Sequence, residues 1–208
     1  MIDLTKDAGV WTVTLNRPDK ANSLTKAMLE ELAQIASDAA GNAQVLVLTG
    51  AGKVFSAGAD LDEARAGLAT DDVWERLSGA IARAPCLTIA ALNGTLAGGA
   101  MGMALACDIR IAVPTAKFFY PVMKLGFLPQ PSDPARMSAL IGPARTKMIL
   151  MAGQKIVAEE AFSWGLIDRV VEGEVLIDTA LELADHARAQ SPDHVAVMKA
   201  MIPSSHHC

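Results

Sequence analysis

Residues 86–107, Cys86-Leu87-Thr88-Ile89-Ala90-Ala91-Leu92-Asn93-Gly94-Thr95-Leu96-Ala97-Gly98-Gly99-Ala100-Met101-Gly102-Met103-Ala104-Leu105-Ala106-Cys107, carry no charge over 22 positions. A membrane-spanning helix needs about 20 apolar residues, and Gly98 and Gly102 form the small-xxx-small pattern of such helices. Asn93-Gly94 stands against that reading, because it is a turn signal in the middle of the run. The stretch is therefore read as a buried strand over 87–92, a turn, and a small-residue helix after Gly98. That reading expects an α/β protein with no membrane segment.

The flanks agree. Ile109-Arg110-Ile111-Ala112-Val113 is a second strand, stopped by Pro114, and Val45-Leu46-Val47-Leu48 is a third, broken by Gly50-Ala51-Gly52. Val10 to Leu15 alternates apolar and polar residues and reads as a strand. Residues 25–40 place Met28, Leu29, Leu32, Ile35, Ala36 and Ala39 on one helical face, with Gly41 as the stop. Asp72 and Glu75 have the spacing of a capping box for a helix over 73–84 that Pro85 ends. Residues 120–134 hold four prolines and read as a rigid loop, with Asp133 as a helix N-cap ahead of Pro134. Pro143 suits a first helical position and Gly153 a stop. Further helices are expected over 174–190 and 192–202. Strands alternate with helices first and helices dominate the end, which predicts an α/β protein with a helical C-terminal part.

Composition removes several function classes. The chain has 208 residues, of which 51% are hydrophobic and 20% charged, so it is long enough for a core and is not disordered. The net charge is -5 with no Lys/Arg-rich run, which argues against nucleic acid as a partner. Met1–Asp7 lacks the apolar core of a signal peptide. Cys86, Cys107 and Cys208 show no C-x-x-C spacing, and an odd number of cysteines fits a reducing, cytoplasmic setting. The four histidines, His186, His194, His206 and His207, all lie in the last quarter. A Ser-His-Asp relay in the core and a His-ligated metal are therefore not expected, and His206-His207-Cys208 reads as a frayed end. Gly50-Ala51-Gly52-Lys53 resembles a phosphate loop, but Val47 and Val54 occupy its required Gly and Ser/Thr positions. No G-x-G-x-x-G follows a strand, so no nicotinamide or flavin site is indicated.

Two Gly-rich turns remain, Phe55-Ser56-Ala57-Gly58-Ala59-Asp60-Leu61 and Asn93-Gly94-Thr95-Leu96-Ala97-Gly98-Gly99. Small residues let backbone approach a ligand, and N–H groups at a helix start favour developing negative charge. By spacing alone, the turns either converge to offer two N–H groups to one oxygen or are simply tight turns with close helix packing.

At these turns the sequence resembles the enoyl-CoA hydratase/isomerase (crotonase) superfamily. The likeness rests on L-N-R-P at 15–18, F-S-A-G-A-D-L at 55–61, I-A-A-L-N-G at 89–94, A-G-G at 97–99, A-C-D-I-R-I-A at 106–112 and A-x-x-A-F-S-W-G-L-I-D-R-V-V at 158–171. It implies the crotonase-like (ClpP/crotonase) spiral of ββα turns, a core over 1–190, and a homotrimer or hexamer. It implies an acyl-CoA thioester of fatty acid metabolism as ligand, with coenzyme A present only as part of the substrate and no permanent cofactor or metal. The N–H groups of Ala57 and Gly99 match the family's oxyanion hole. Lys20 and Ala21, with Ala59, Asp60 and Leu61, match the parts that line the nucleotide and pantetheine. Asp60 and Asp108 are expected to be structural.

The departures define the chemistry expected. The family's two hydratase Glu positions are Gly102 and Val122 here, and the acid position of some isomerases is Gln130. Gly, Val and Gln do no general acid–base work. An isomerase or lyase step such as decarboxylation is thus expected rather than standard hydration, the alternative being a non-catalytic acyl-CoA-binding protein of the same fold. Tyr120, Gln130 and Asp133 are the candidates for the missing polar role, while Asp62 and Glu63 read as a solvated face. The resemblance also implies a few dozen further residues beyond Ala196-Val197-Met198-Lys199, so 191–208 is expected to be a shortened helical segment.

Overall fold

The computed structural model describes residues 1–202, so the expectation for His206-His207-Cys208 lies outside the described residues. The strands are β1 (Ile2–Asp7), β2 (Val10–Leu15), β3 (Val45–Gly50), β4 (Val54–Ser56), β5 (Leu87–Leu92), β6 (Thr95–Ala97), β7 (Ile109–Ala112), β8 (Lys117–Phe119), β9 (Ile156–Val157) and β10 (Arg169–Val170). The helices are α1 (Lys26–Asp38), α2 (Leu61–Arg65), α3 (Val73–Arg83), α4 (Met101–Ala106), α5 (Val122–Leu125), α6 (Asp133–Leu150), α7 (Ala158–Trp164), α8 (Leu176–Arg188) and α9 (Pro192–Met201).

Two sheets carry the chain. The larger runs β1-β2-β3-β5-β7-β10 and the smaller β4-β6-β8-β9. Each of the pairs β3/β4, β5/β6 and β7/β8 gives one strand to each sheet before a helix returns the chain, which is the expected spiral. β2, β3, β5, β7 and β10 pair in parallel. Parallel strands are covered on both faces, which is why β3 opens with the apolar run Val45–Leu48 and is buried through Thr49. β1 is antiparallel to β2 across a turn in which Ala8 and Gly9 both have positive φ.

The uncharged stretch 86–107 becomes β5, β6, a 3-10 turn over Gly98–Ala100, and α4. Every residue of α4 is buried, and α4 packs against α3 and α6. Burial in protein on all sides, not lipid, explains the missing charge. No described helix is long and apolar enough to cross a membrane.

Three local expectations need correction. The 120–134 segment is not all loop, because Pro121 opens the short helix α5, which ends at Gly126 in the left-handed region (φ 72°). The Asp72/Glu75 capping box does not form: Asp72 makes no side-chain cap bond, and Asp71 instead accepts the Val73 N–H at 2.9 Å. The N-cap of α6 is Ser132, not Asp133. Within α6 the backbone breaks at Gly142 (φ 79°, ψ 161°), so Pro143 does begin a new helical run. The C-terminal helix α9 is tied to the body by Lys199, whose Nζ donates to Cys86 O (2.8 Å) and Asp108 Oδ2 (2.6 Å).

Candidate active site at two glycine turns

The two turns meet backbone to backbone. Gly58 has φ +94° and a Cβ built on it would lie 3.0 Å from Ala97 O, so only glycine fits there. Gly98, at φ +59°, faces Gly58 Cα. The first turn is held from behind by the 17–24 loop. Asn22, fully buried at φ 50°, donates from Nδ2 to Ala51 O and Val54 O and accepts the Arg17 N–H on Oδ1. Ser56 Oγ donates to Asn22 O at 2.8 Å.

This bracing decides which N–H groups are free. Ala57 N–H donates to Ala21 O (3.0 Å), Gly58 N–H to Ser56 Oγ (3.2 Å) and Asp60 N–H to Leu24 O (2.8 Å). Ala57 therefore is not an available donor, contrary to the sequence expectation. The loop braces the turn through that N–H. Of residues 57–60, Ala59 alone has an N–H with no acceptor among the described residues. Gly99 lies in the Gly98–Ala100 turn that leads into α4, where first-turn N–H groups have no intrahelical partner. Its backbone rests on the Trp74 ring, 3.1 Å from where a Cβ would stand, and Trp74 Nε1 donates to Leu68 O at 2.8 Å.

One helical turn beyond Gly99 is Gly102. A Cβ there would lie 2.9 Å from Asp133 Oδ1. Asp133 has no exposed surface, and its Oδ2 accepts the Tyr120 hydroxyl at 3.0 Å. Oδ1 has no hydrogen-bond partner among the described residues, and neither has the buried Nη1 of Arg136, one turn along α6. Burial pushes the Asp133 carboxyl up to about 7, Glu75 adds to the rise, and the Tyr120 bond and Arg136 oppose it. The Tyr120 phenol is itself pushed up, first by burial and then by Asp133, so it stays a donor. Its oxygen also accepts the Gln130 N–H at 3.3 Å.

The structure thus brings together Gly99, Gly102, Tyr120 and Asp133. Gln130 contributes a backbone N–H, and Val122 is buried at the start of α5. Two contributors escaped the sequence reading, Trp74 and Glu75. Glu75 accepts from Ser132 N (3.2 Å) and from Ser132 Oγ. The only signal for Glu75 was its spacing from Asp72, which pointed to a different role.

Around the first turn, Lys20 is exposed and Ala21 has φ 50°. Asp60 caps α2 by accepting the Asp62 and Glu63 N–H groups and pairs with Arg17 Nη1 at 2.7 Å. The Arg17 bond holds its carboxyl below the usual range. Leu61 is 72% exposed. Asp62 pairs with Arg65, and Glu63 accepts the Lys26 N–H. Asp108 binds Thr88 and Lys199. Burial pushes the Cys86 and Cys107 thiols up to about 11 and about 12, which leaves both unreactive at neutral pH. No cluster able to hold a metal exists among the described residues. A cavity of about 750 Å³ opens elsewhere, between the starts of β5 and β7 and helices α8 and α9, and neither glycine turn lines it.

Comparison with known proteins identifies the family. Residues 5–206 match the model of the enoyl-CoA hydratase/isomerase family. The short-chain-enoyl-CoA hydratase of Clostridium acetobutylicum is 35% identical over 217 residues, covering 99% of this chain and 82% of that protein. The 1,2-epoxyphenylacetyl-CoA isomerase of Escherichia coli (strain K12) is 34% identical over 210 residues, covering 96% and 80%. The crystal structure of an enoyl-CoA hydratase from Bacillus anthracis superposes with a TM-score of 0.88 at 35% identity, covering 96% of this chain and 81% of that one. The spiral of paired strands, the two abutting glycine turns and these likenesses place the chain in the enoyl-CoA hydratase/isomerase family, with the crotonase fold.

Proposed function

We propose that the chain moves the α-proton of an acyl-CoA thioester through an enolate, in the manner of an isomerase rather than a standard hydratase. The thioester oxygen sits between the N–H groups of Ala59 and Gly99. Two donors aimed at the developing oxyanion stabilise the enolate, and each such donor is typically worth about 2.7–4 kcal/mol in the transition state. With a β,γ-unsaturated acyl group, Asp133 takes the α-proton on Oδ1, the C–H electron pair passes into a dienolate whose charge rests on the thioester oxygen, and the proton returns to the γ-carbon as the double bond moves to the α,β position. Tyr120 fixes the carboxyl by donating to Oδ2.

The observation that carries the reading is the buried Asp133 carboxyl against Gly102, with one oxygen held and the other without a hydrogen-bond partner among the described residues. A base whose proton affinity lies near the working pH is suited to proton transfer, and about 7 meets that requirement. Water addition needs acids that Gly102 and Val122 do not supply. Lys20, Ala21, Asp60 and Leu61 border the entrance proposed for the nucleotide and pantetheine. The exposed apolar side chains of Met123, Leu125, Phe127 and Leu128 support assembly as a homotrimer or hexamer. The two buried free thiols fit a cytoplasmic setting.

The test is α-proton exchange in heavy water across a panel of acyl-CoA thioesters, read by mass spectrometry. Uptake of deuterium by the wild type, lost on Asp133→Asn and on Gly99→Pro, is expected. Hydration of crotonyl-CoA is expected to be slow. Unchanged exchange in Asp133→Asn would overturn the assignment of the base. Saturable binding with no exchange by the wild type would instead support the acyl-CoA-binding alternative.

A further inference from the structure

Glu75 reaches across from α3 to the loop that presents Asp133, and any part it plays in proton transfer rests on the reading of Asp133 as the base. The loop has two clamps. At one side the Tyr120 hydroxyl accepts the Gln130 N–H and donates to Asp133 Oδ2. At the other, the Glu75 carboxylate accepts both the N–H and the hydroxyl of Ser132, the residue before Asp133. Ser132 is the N-cap of α6 yet makes no cap bond with its own side chain. Its hydroxyl is committed to Glu75 instead. Glu75 is likewise withdrawn from the capping box that its sequence position offers. Two local hydrogen-bonding options are given up for one contact between α3 and α6. Trp74, next to Glu75 on α3, supports Gly99, so one helix reaches both the oxyanion turn and the base loop.

We infer that Glu75 is a positioning residue for the proton-transfer step, fixing the Gln130–Asp133 loop and setting the electrostatic environment of the Asp133 carboxyl. The groups that bear on that carboxyl are few. The segment after β8 supplies Tyr120, α6 supplies Arg136 and α3 supplies Glu75, while α4 faces it with the uncharged Gly102. Tyr120 and Arg136 favour the ionised form; Glu75, a like charge, favours the protonated form. Glu75 thus makes Asp133 a stronger base while holding it in place.

A pH profile separates this role from a purely structural one. Glu75→Gln keeps an oxygen that accepts from Ser132 but removes the charge. The acid limb of the exchange profile is expected to move to lower pH, by roughly half a pH unit. The plateau rate should fall by at most about threefold, because a base half a unit weaker transfers the proton more slowly. Glu75→Ala removes the clamp as well and is expected to lower the plateau by more than tenfold, with little change in half-saturation by the thioester. Should Glu75→Ala fail to fold, Glu75→Gln decides alone. A Glu75→Gln profile with the wild-type midpoint, alongside loss of exchange in Asp133→Asn, would overturn the role of Glu75 and leave Asp133 as the base. Full exchange in Asp133→Asn would show that the premise had failed.

Discussion

Replacing Asp133 by Asn should abolish proton exchange and yet make the protein more stable at pH 8. The carboxyl titrates near 7 in the folded chain, against an ordinary value of 3.8 when the chain is unfolded. Between those values the folded state holds the proton that the unfolded state has lost. Stability therefore falls as pH rises through this window: Asp133 carries no ionisation penalty below about pH 4 and its full penalty above about pH 7. At 1.36 kcal/mol per unit, the difference of 7 and 3.8 sets a ceiling of about 4 kcal/mol. Asn carries no charge and escapes the penalty. It still accepts the Tyr120 hydroxyl, but its amide group takes the place of an Oδ1 that has no hydrogen-bond partner among the described residues, and burying those donors unpaired costs about 1–3 kcal/mol. The net expectation is a gain of about 1–3 kcal/mol at pH 8, vanishing or reversing at pH 4.5. Urea titrations of both proteins at the two pH values measure this directly, since the other carboxyls cancel in the comparison. A stability difference of the same size at pH 4.5 and pH 8 would refute the buried-carboxyl reasoning.

The same contacts set three further expectations. Gly102→Ala gains about 1 kcal/mol of helix propensity and loses about 1–3 kcal/mol to overpacking, so stability should fall by at most about 2 kcal/mol. Exchange should nevertheless drop more than tenfold, because the methyl displaces the Asp133 carboxyl; a rate within twofold of wild type would contradict the geometry. Tyr120→Phe removes the bond that favours ionised Asp133, so the acid limb of the exchange profile should move to higher pH, opposite to Glu75→Gln, with a stability loss of about 0.5–1.5 kcal/mol. Lys199→Met removes the two bonds that anchor α9 and should cost about 1–3 kcal/mol, with faster amide hydrogen exchange in α9 than in α1.

The main strands and helices were legible because each depends on local pattern. The apolar run Val45–Leu48, the alternation over Val10–Leu15 and the face made by Met28, Leu29, Leu32 and Ile35 all repeat in the structure. The short strands of the smaller sheet, β4, β6, β8 and β9, carry two or three residues each, too few for any period to show. Their pairing comes from the spiral, not from their own composition. The helix α5 hid inside a proline-rich segment because Pro121 is acceptable just before a helix begins.

The site divides along the same line. Sequence alone located the two glycine turns, since the positive φ of Gly58 and Gly98 and the close approach of their backbones exclude larger side chains. It also showed that positions 102, 122 and 130 bear no acid, because residue identity is a property of the chain. Only the tertiary structure decided that Ala57 spends its N–H on Ala21 while Ala59 keeps its own, a matter of what a loop some 35 residues earlier places opposite. It decided, too, that Asp133 turns from capping α6 to face Gly102, and that Glu75 leaves its own helix for Ser132. Hydrogen-bond partners and proton affinity depend on which distant groups exclude water and lie within a few ångströms, and no local pattern encodes that proximity.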